Sequence, residues 1–212
     1  MAILGANVTA DIIERFAEKQ IRQAGNSTNA HAQARQLAEL SLFLANAIEN
    51  APFNAALKNE MEFERNLYEV IRHAVESSPI KPEMLVRHRD SSADVEGGRE
   101  WRKTKEWADV NVLGRKHSGD IVLRLGKGAT LRCEVKWARE RGTSALQSLV
   151  GQAILSSLRH PVTFAVLFLQ EQAAKGVHKE DPYFILLQNE LLRCHNIFLI
   201  VIVVSAGLKD QL

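Results

Sequence analysis

The sequence predicts an α/β protein: three amino-terminal helices, a meander of three strands, and then helix, strand, helix and strand in alternation. Three observations carry this reading. Apolar residues recur at helical spacing through the first third of the chain and again at 143–159. The segment 119–137, GDIVLRLGKGATLRCEVKW, alternates apolar and polar residues. TFAVLFLQ and IFLIVIVV are short and apolar throughout, as strands covered on both faces are. With 212 residues the chain can bury one substantial core, so a single domain with a helical extension is expected.

The first helix is expected to be capped by Thr9, with Ile12, Ile13, Phe16, Ala17 and Ile21 on one face and Gly25-Asn26 at its end. A second starts at Ser27 or Thr28 and carries Leu37, Leu40, Phe43, Leu44, Ala47 and Ile48. A third follows Asn59, with Phe63, Leu67, Val70, Ile71 and Ala74 as its stripe, and stops at Ser77-Ser78-Pro79. MLVRH is a candidate short strand before the polar loop RHRDSSADVEGGREWRKTK. EWADVNVL is expected as the first strand of the meander, GRKHSG as a turn, and 120–125 and 130–137 as the other two strands. The helix at 143–159, the strand TFAVLFLQ, the helix YFILLQNELLRCH and the strand IFLIVIVV complete the order.

Composition sets broad limits. The content is 46% hydrophobic and 25% charged, as in ordinary globular domains. A net charge of +2 neither demands nor excludes nucleic acid. Its distribution is more telling: residues 1–58 hold five Lys/Arg against five Asp/Glu, whereas 115–141 hold eight against three. Cys133 and Cys194 have no CxxC partner, which argues against a zinc ribbon or a disulfide framework and for a reduced, cytoplasmic protein. The start MAILGANVTA does not read as a signal peptide, and the longest apolar run, at 197–206, is about half a membrane span. No membrane partner is expected.

The charged residues of 119–137 hold the chemistry. In a strand, residues two apart share a face, so Leu131, Cys133, Val135 and Trp137 lie on one side and Thr130, Arg132, Glu134 and Lys136 on the other. If Ile121, Leu123 and Leu125 enter the same core, a three-residue loop Gly126-Lys127-Gly128 pairs 123 with 131 and places Asp120 opposite Glu134. Like charges about 4.5–5.5 Å apart are destabilising. Lys136 could offset them in part; a hard divalent cation with oxygen ligands would do so better and keep sites for water and a phosphate. Glu-x-Lys alone is weak, because a solvated strand face of mixed charge also explains it.

These residues resemble the PD-(D/E)XK nuclease superfamily, whose fold is shared by many restriction, repair and recombination nucleases. Gly119-Asp120 is similar to its aspartate motif and Glu134-Val135-Lys136 to its (D/E)xK motif. Phe63-Glu64 resembles the Phe-Glu often found on the preceding helix, and Gln152, better than Gln147, the glutamine of the following one. The resemblance spans about residues 59–205. It implies a restriction-endonuclease-like αβββαβ core, a mixed sheet flanked by helices, in a domain 59–212 after an amino-terminal helical extension, 1–58. Asp120, Glu134, the main-chain carbonyl of Val135 and Glu64 would then hold Mg²⁺, with Mn²⁺ able to substitute. Lys136 would orient or deprotonate the attacking water, and Gln152 would position a phosphate or water. Glu60 lies on the same side of its helix as Glu64, and Glu69 does not. Either glutamate also reads as a solvated helical carboxylate, and Gln152 as a semi-buried glutamine of no special role.

Arg115, Lys116 and His117 before the motif, and Arg139 and Arg141 after it, are candidate phosphate contacts, although each is also an ordinary surface charge. GKGAT lacks the rest of a phosphate loop, no HExxH or GxSxG occurs, and Trp101 and Trp107 suit a core as well as a base. The function so implied is Mg²⁺-dependent endonucleolytic hydrolysis of DNA in restriction, defence or repair. The alternatives are a catalytically silent nucleic-acid-binding or assembly module of the same fold and a nuclease acting on RNA. The loop at 86–104 is the expected seat of substrate choice. The amino-terminal helices could form a homodimer, and the chain could be the nuclease part of a larger system.

Overall fold

The computed structural model describes residues 6–53, 56–86, 109–112, 115–118, 120–175, 177 and 180–204. Its helices are α1 (Ala6–Gln23), α2 (Ala30–Asn50), α3 (Glu60–Ser77), α4 (Gly142–Ser157), α5 (Glu171–Ala174) and α6 (Pro182–His195). Its strands are β1 (Glu83–Val86), β2 (Asp109–Val112), β3 (Arg115–Ser118), β4 (Ile121–Gly126), β5 (Ala129–Ala138), β6 (Val162–Gln170) and β7 (Ile197–Val204). A five-stranded mixed sheet has the order β1-β4-β5-β6-β7. The pairs β1/β4 and β4/β5 are antiparallel, and β5, β6 and β7 run parallel through the helical crossovers α4 and α5–α6. The architecture is α/β, a mixed sheet with helices on both faces.

One face of the sheet is covered by α1, α2 and α3. Ile13, Leu37, Leu44, Phe63 and Leu67 join Leu131, Cys133, Val135, Phe164 and Phe168 in one core. The amino-terminal helices therefore share a core with the rest of the chain. Their apolar stripes, which could have served a dimer, are buried in this packing. Phe43 is the exposed large apolar side chain on them among the described residues. The other face packs Leu149 and Ala153 of α4 and Leu191 of α6 on Ala165, Leu167 and Leu199. β6 is buried from Val162 to Leu169, which is why its sequence does not alternate. Among the described residues no helix is long and apolar enough to cross a membrane.

Local chemistry sets the helix ends. Gly25, at φ 85°, closes α1, because a left-handed residue lets the last carbonyls find N–H donors. At α3, Asn59 Oδ1 accepts from Glu62 N at 3.0 Å while Glu62 Oε1 accepts from Asn59 Nδ2 at 2.9 Å, a reciprocal cap. Phe63, four residues on, stacks on Phe168 with centroids 4.6 Å apart and on Trp137 at 6.1 Å. These contacts hold the start of α3 over the carboxyl-terminal half of β5.

Several expectations are corrected. Thr9 lies inside α1 and is buried, and the residue before α2 is Asn29. The third strand of the sheet's antiparallel part is β1, from MLVRH, and not EWADVNVL. Residues 109–112 pair with 115–118 in a separate hairpin, so part of GRKHSG is strand. Both segments can form ladders, and only pairing with β4 separates them. Leu123 does pair with Leu131, but the β4–β5 turn is shorter than three residues: Gly126 pairs with Ala129 after a bulge past Arg124, with Gly128 at φ 79°. The short helix α5 was not expected. Trp101, Trp107 and 87–104 of the polar loop lie outside the described residues.

Candidate active site

The site lies just before β4 begins, where the antiparallel β5 runs on past its amino-terminal end. Ile121 pairs with Cys133, and Asp120 N still donates to Cys133 O at 3.3 Å. Beyond this point the side chain of Asp120 replaces the missing strand: its Oδ2 accepts from Val135 N at 2.8 Å. A strand residue presents its N–H and C=O to the same side. The carbonyl of Val135 therefore faces the gap that Asp120 borders.

The alternate face of β5 is not solvated. Thr130, Arg132 and Glu134 are buried under α4, with Arg132 only 1% and Glu134 4% exposed, and Lys136 is half-buried. Charges in such a place are expected to be paired and hydrogen-bonded. Glu134 Oε1 accepts from Ser156 Oγ of α4 at 2.6 Å and lies 2.5 Å from Arg132 Nε, an ion contact not aligned as a hydrogen bond. Burial raises its carboxyl most, the charge of Asp120 adds to the rise, and Arg132 and Ser156 oppose it; the group is pushed up to about 7. Lys136 Nζ donates to Glu60 Oε1 at 3.0 Å, across from the first turn of α3. At the near end of the face, Thr130 Oγ1 is 2.8 Å from His160 Nδ1. Burial, then Arg132 and Arg159, holds His160 well below its usual value and hence neutral.

The structure thus assembles Asp120, Glu134, Val135 and Lys136 at one fork and adds three groups that the sequence reading did not assign there. Arg132 sits on the polar face by the same alternation that placed Glu134, and supplies the counter-charge for which a cation had been inferred. Ser156 falls on the buried stripe of Leu149 and Ala153, so its helical spacing marked it. Glu60, not Glu64, meets Lys136. Glu64 is buried in α3 at 2% exposure, and among the described residues no three His, Cys, Asp or Glu side chains converge as a metal cage. Gln152 is half-buried on α4, and its main-chain carbonyl accepts from Ser156 Oγ at 2.9 Å; Gln147 is exposed. Arg139 and Arg141 are exposed beyond β5, while Arg115 and Lys116 lie on β3 opposite Val112 and Asn111.

The donor set at the fork consists of two carboxylates and a carbonyl. These are hard oxygens of the kind Mg²⁺ or Mn²⁺ takes, so the residues fit such an ion in kind, with Arg132 as its competitor for Glu134. Comparison with protein-family models, with curated proteins and with solved structures finds no match to this chain.

Proposed function

We propose that the chain is a metal-dependent endonuclease that hydrolyses DNA phosphodiester bonds, with a restriction-endonuclease-like fold and a role in restriction, defence or repair. One observation carries the reading: Asp120 and the Glu134-Val135-Lys136 run meet at the amino-terminal end of β4, on a chain whose sheet elements follow the order helix, three antiparallel strands, helix, parallel strand. That is the αβββαβ order the resemblance implies. A bound Mg²⁺ would supply charge neutralisation at the phosphate and a more acidic water. Asp120, Glu134 and the Val135 carbonyl are its ligands in this reading. Lys136 holds the attacking water or balances the developing negative charge, and Glu60 aims its ammonium.

A second reading, the catalytically silent module, is favoured by a different observation. Arg132 and Ser156 already occupy Glu134, and Glu60 occupies Lys136, so the face is compensated without a metal. One assay separates the two. Purified protein is incubated with supercoiled, linear and single-stranded DNA and with RNA, in Mg²⁺ or Mn²⁺ against EDTA, beside Glu134→Ala and Lys136→Ala. Metal-dependent cutting of DNA that both variants lose supports the endonuclease, and cutting confined to RNA would change its substrate. Absence of cutting together with absence of Mn²⁺ binding would leave the silent module.

A further inference from the structure

At the opposite end of β5 the structure forms a half-open cavity of about 700 Å³, between the end of α1, the segment after α3, the β4–β5 turn and the turn after α4. Among the described residues four cationic side chains line it, Lys81, Arg124, Lys127 and Arg159, and one carboxylate, Glu83. Among the described lining residues, cationic side chains thus outnumber carboxylates by three. Glu83 is taken by Arg124, whose Nε donates to Glu83 Oε2 at 2.9 Å. Lys81 Nζ donates to Val75 O at 2.9 Å and to Glu76 O at 2.7 Å, closing α3; an ammonium has three donors, so one remains beyond these bonds. Among the described residues no carboxylate pairs with Lys127.

The wall that presents these charges is firmly built. A Cβ on Gly126 would come within 2.3 Å of Gln33 Nε2, and one on Gly128 within 2.6 Å of Ala24 Cβ, so the turn packs closely against both amino-terminal helices. Gln33 is fixed in turn by Asn26 Nδ2 at 2.6 Å. Like charges gathered in a half-enclosed space repel one another more than they would in open water, and an anion relieves them. Cavities of about 300–1,000 Å³ suit small-molecule ligands.

We propose that this cavity is a binding site for phosphate groups, separate from the fork. Thr130, in its wall, precedes Lys136 by six residues on the same strand, which is about 20 Å. One phosphate cannot touch both places. The proposal does not depend on cleavage at the fork. Phosphate can arrive on a free nucleotide or in a nucleic-acid backbone, and the chemistry recognised is shared.

The test is fluorescence anisotropy in EDTA at low salt, with ribose-labelled ATP and, separately, a short fluorescein-labelled single-stranded DNA. Wild type is compared with Lys127→Glu/Arg159→Glu and with Lys136→Ala, each first shown to be folded by circular dichroism. Both reversed residues are exposed. Labelled ATP should bind wild type, be displaced by inorganic tripolyphosphate, and lose about tenfold or more in affinity in the double variant but not in Lys136→Ala. The same pattern with DNA and not with ATP would assign the phosphates to a nucleic-acid strand. Failure of wild type to bind either probe would overturn the proposal, as would equal binding by the double variant or a loss confined to Lys136→Ala.

Discussion

Glu134 ionises against the fold, and this makes stability a readout of the candidate site. Its carboxyl is raised from 4.5 to about 7, by burial above all. Between those values the folded protein keeps a proton that the unfolded chain has released, so stability falls as pH rises through that interval. The shift corresponds to about 3 kcal/mol, a large part of the roughly 5–15 kcal/mol that holds a domain together. The attraction of Arg132 is already contained in the raised value. His160 acts in the opposite direction: its ring stays neutral in the fold, so below its ordinary 6.5 the unfolded chain gains a proton that the folded state refuses, and stability falls with falling pH. Because the two slopes oppose each other, the diagnostic quantity is a difference between wild type and Glu134→Gln. Glutamine keeps an oxygen for Ser156 and cannot ionise. In urea titrations, the midpoint of Glu134→Gln relative to wild type should rise by about 1 M between about pH 5 and about pH 8, for a slope of roughly 2–3 kcal/mol/M. Parallel midpoint profiles would refute a buried carboxylate at this position. Mg²⁺ that raised the wild-type midpoint at about pH 8, and not that of the variant, would place the ion at Glu134.

Arg132→Met leaves Glu134 buried without its counter-charge and should cost about 3–5 kcal/mol at about pH 8 by urea denaturation, and less at about pH 5 where Glu134 takes up a proton. Ser156→Ala removes a donor from a charged acceptor and should cost about 1.5–3 kcal/mol in the same assay. Asn196 stands at φ 52°, and its Nδ2 donates to Pro161 O at 3.0 Å and Ile13 O at 3.3 Å. Asn196→Gly loses the bonds and keeps the backbone at ease, so in thermal denaturation Asn196→Ala should be the less stable of the two by about 1 kcal/mol. Gly128→Ala combines a positive φ with a Cβ 2.6 Å from Ala24 Cβ, and should lose about 1–3 kcal/mol by thermal denaturation.

Much of the candidate site was legible because strand alternation is a local rule. Once Cys133 and Val135 were read as core, Arg132, Glu134 and Lys136 had to share the other face, and Leu123 opposite Leu131 brought Asp120 to its end. What alternation does not reveal is whether that face meets water or a helix. It meets α4, and burial turns a strip of mixed charge into a set of pairs. Arg132 was visible on the strip and left unassigned, because alternation does not say which charges on a face meet.

The sequence by itself determined the helices α1 to α4 and α6, the strands β4 to β7 and the two faces of β5, since each follows from apolar periodicity within one segment. Only the tertiary structure decided which of two short candidates completes the sheet, that α1 and α2 belong to the same core, and which charges meet. Lys136 and Glu60 are 76 residues apart, and Ser156 finds Glu134 only because α4 lies on β5. Partner choice among charges is a contest of distance and burial, and a linear chain contains neither until it folds.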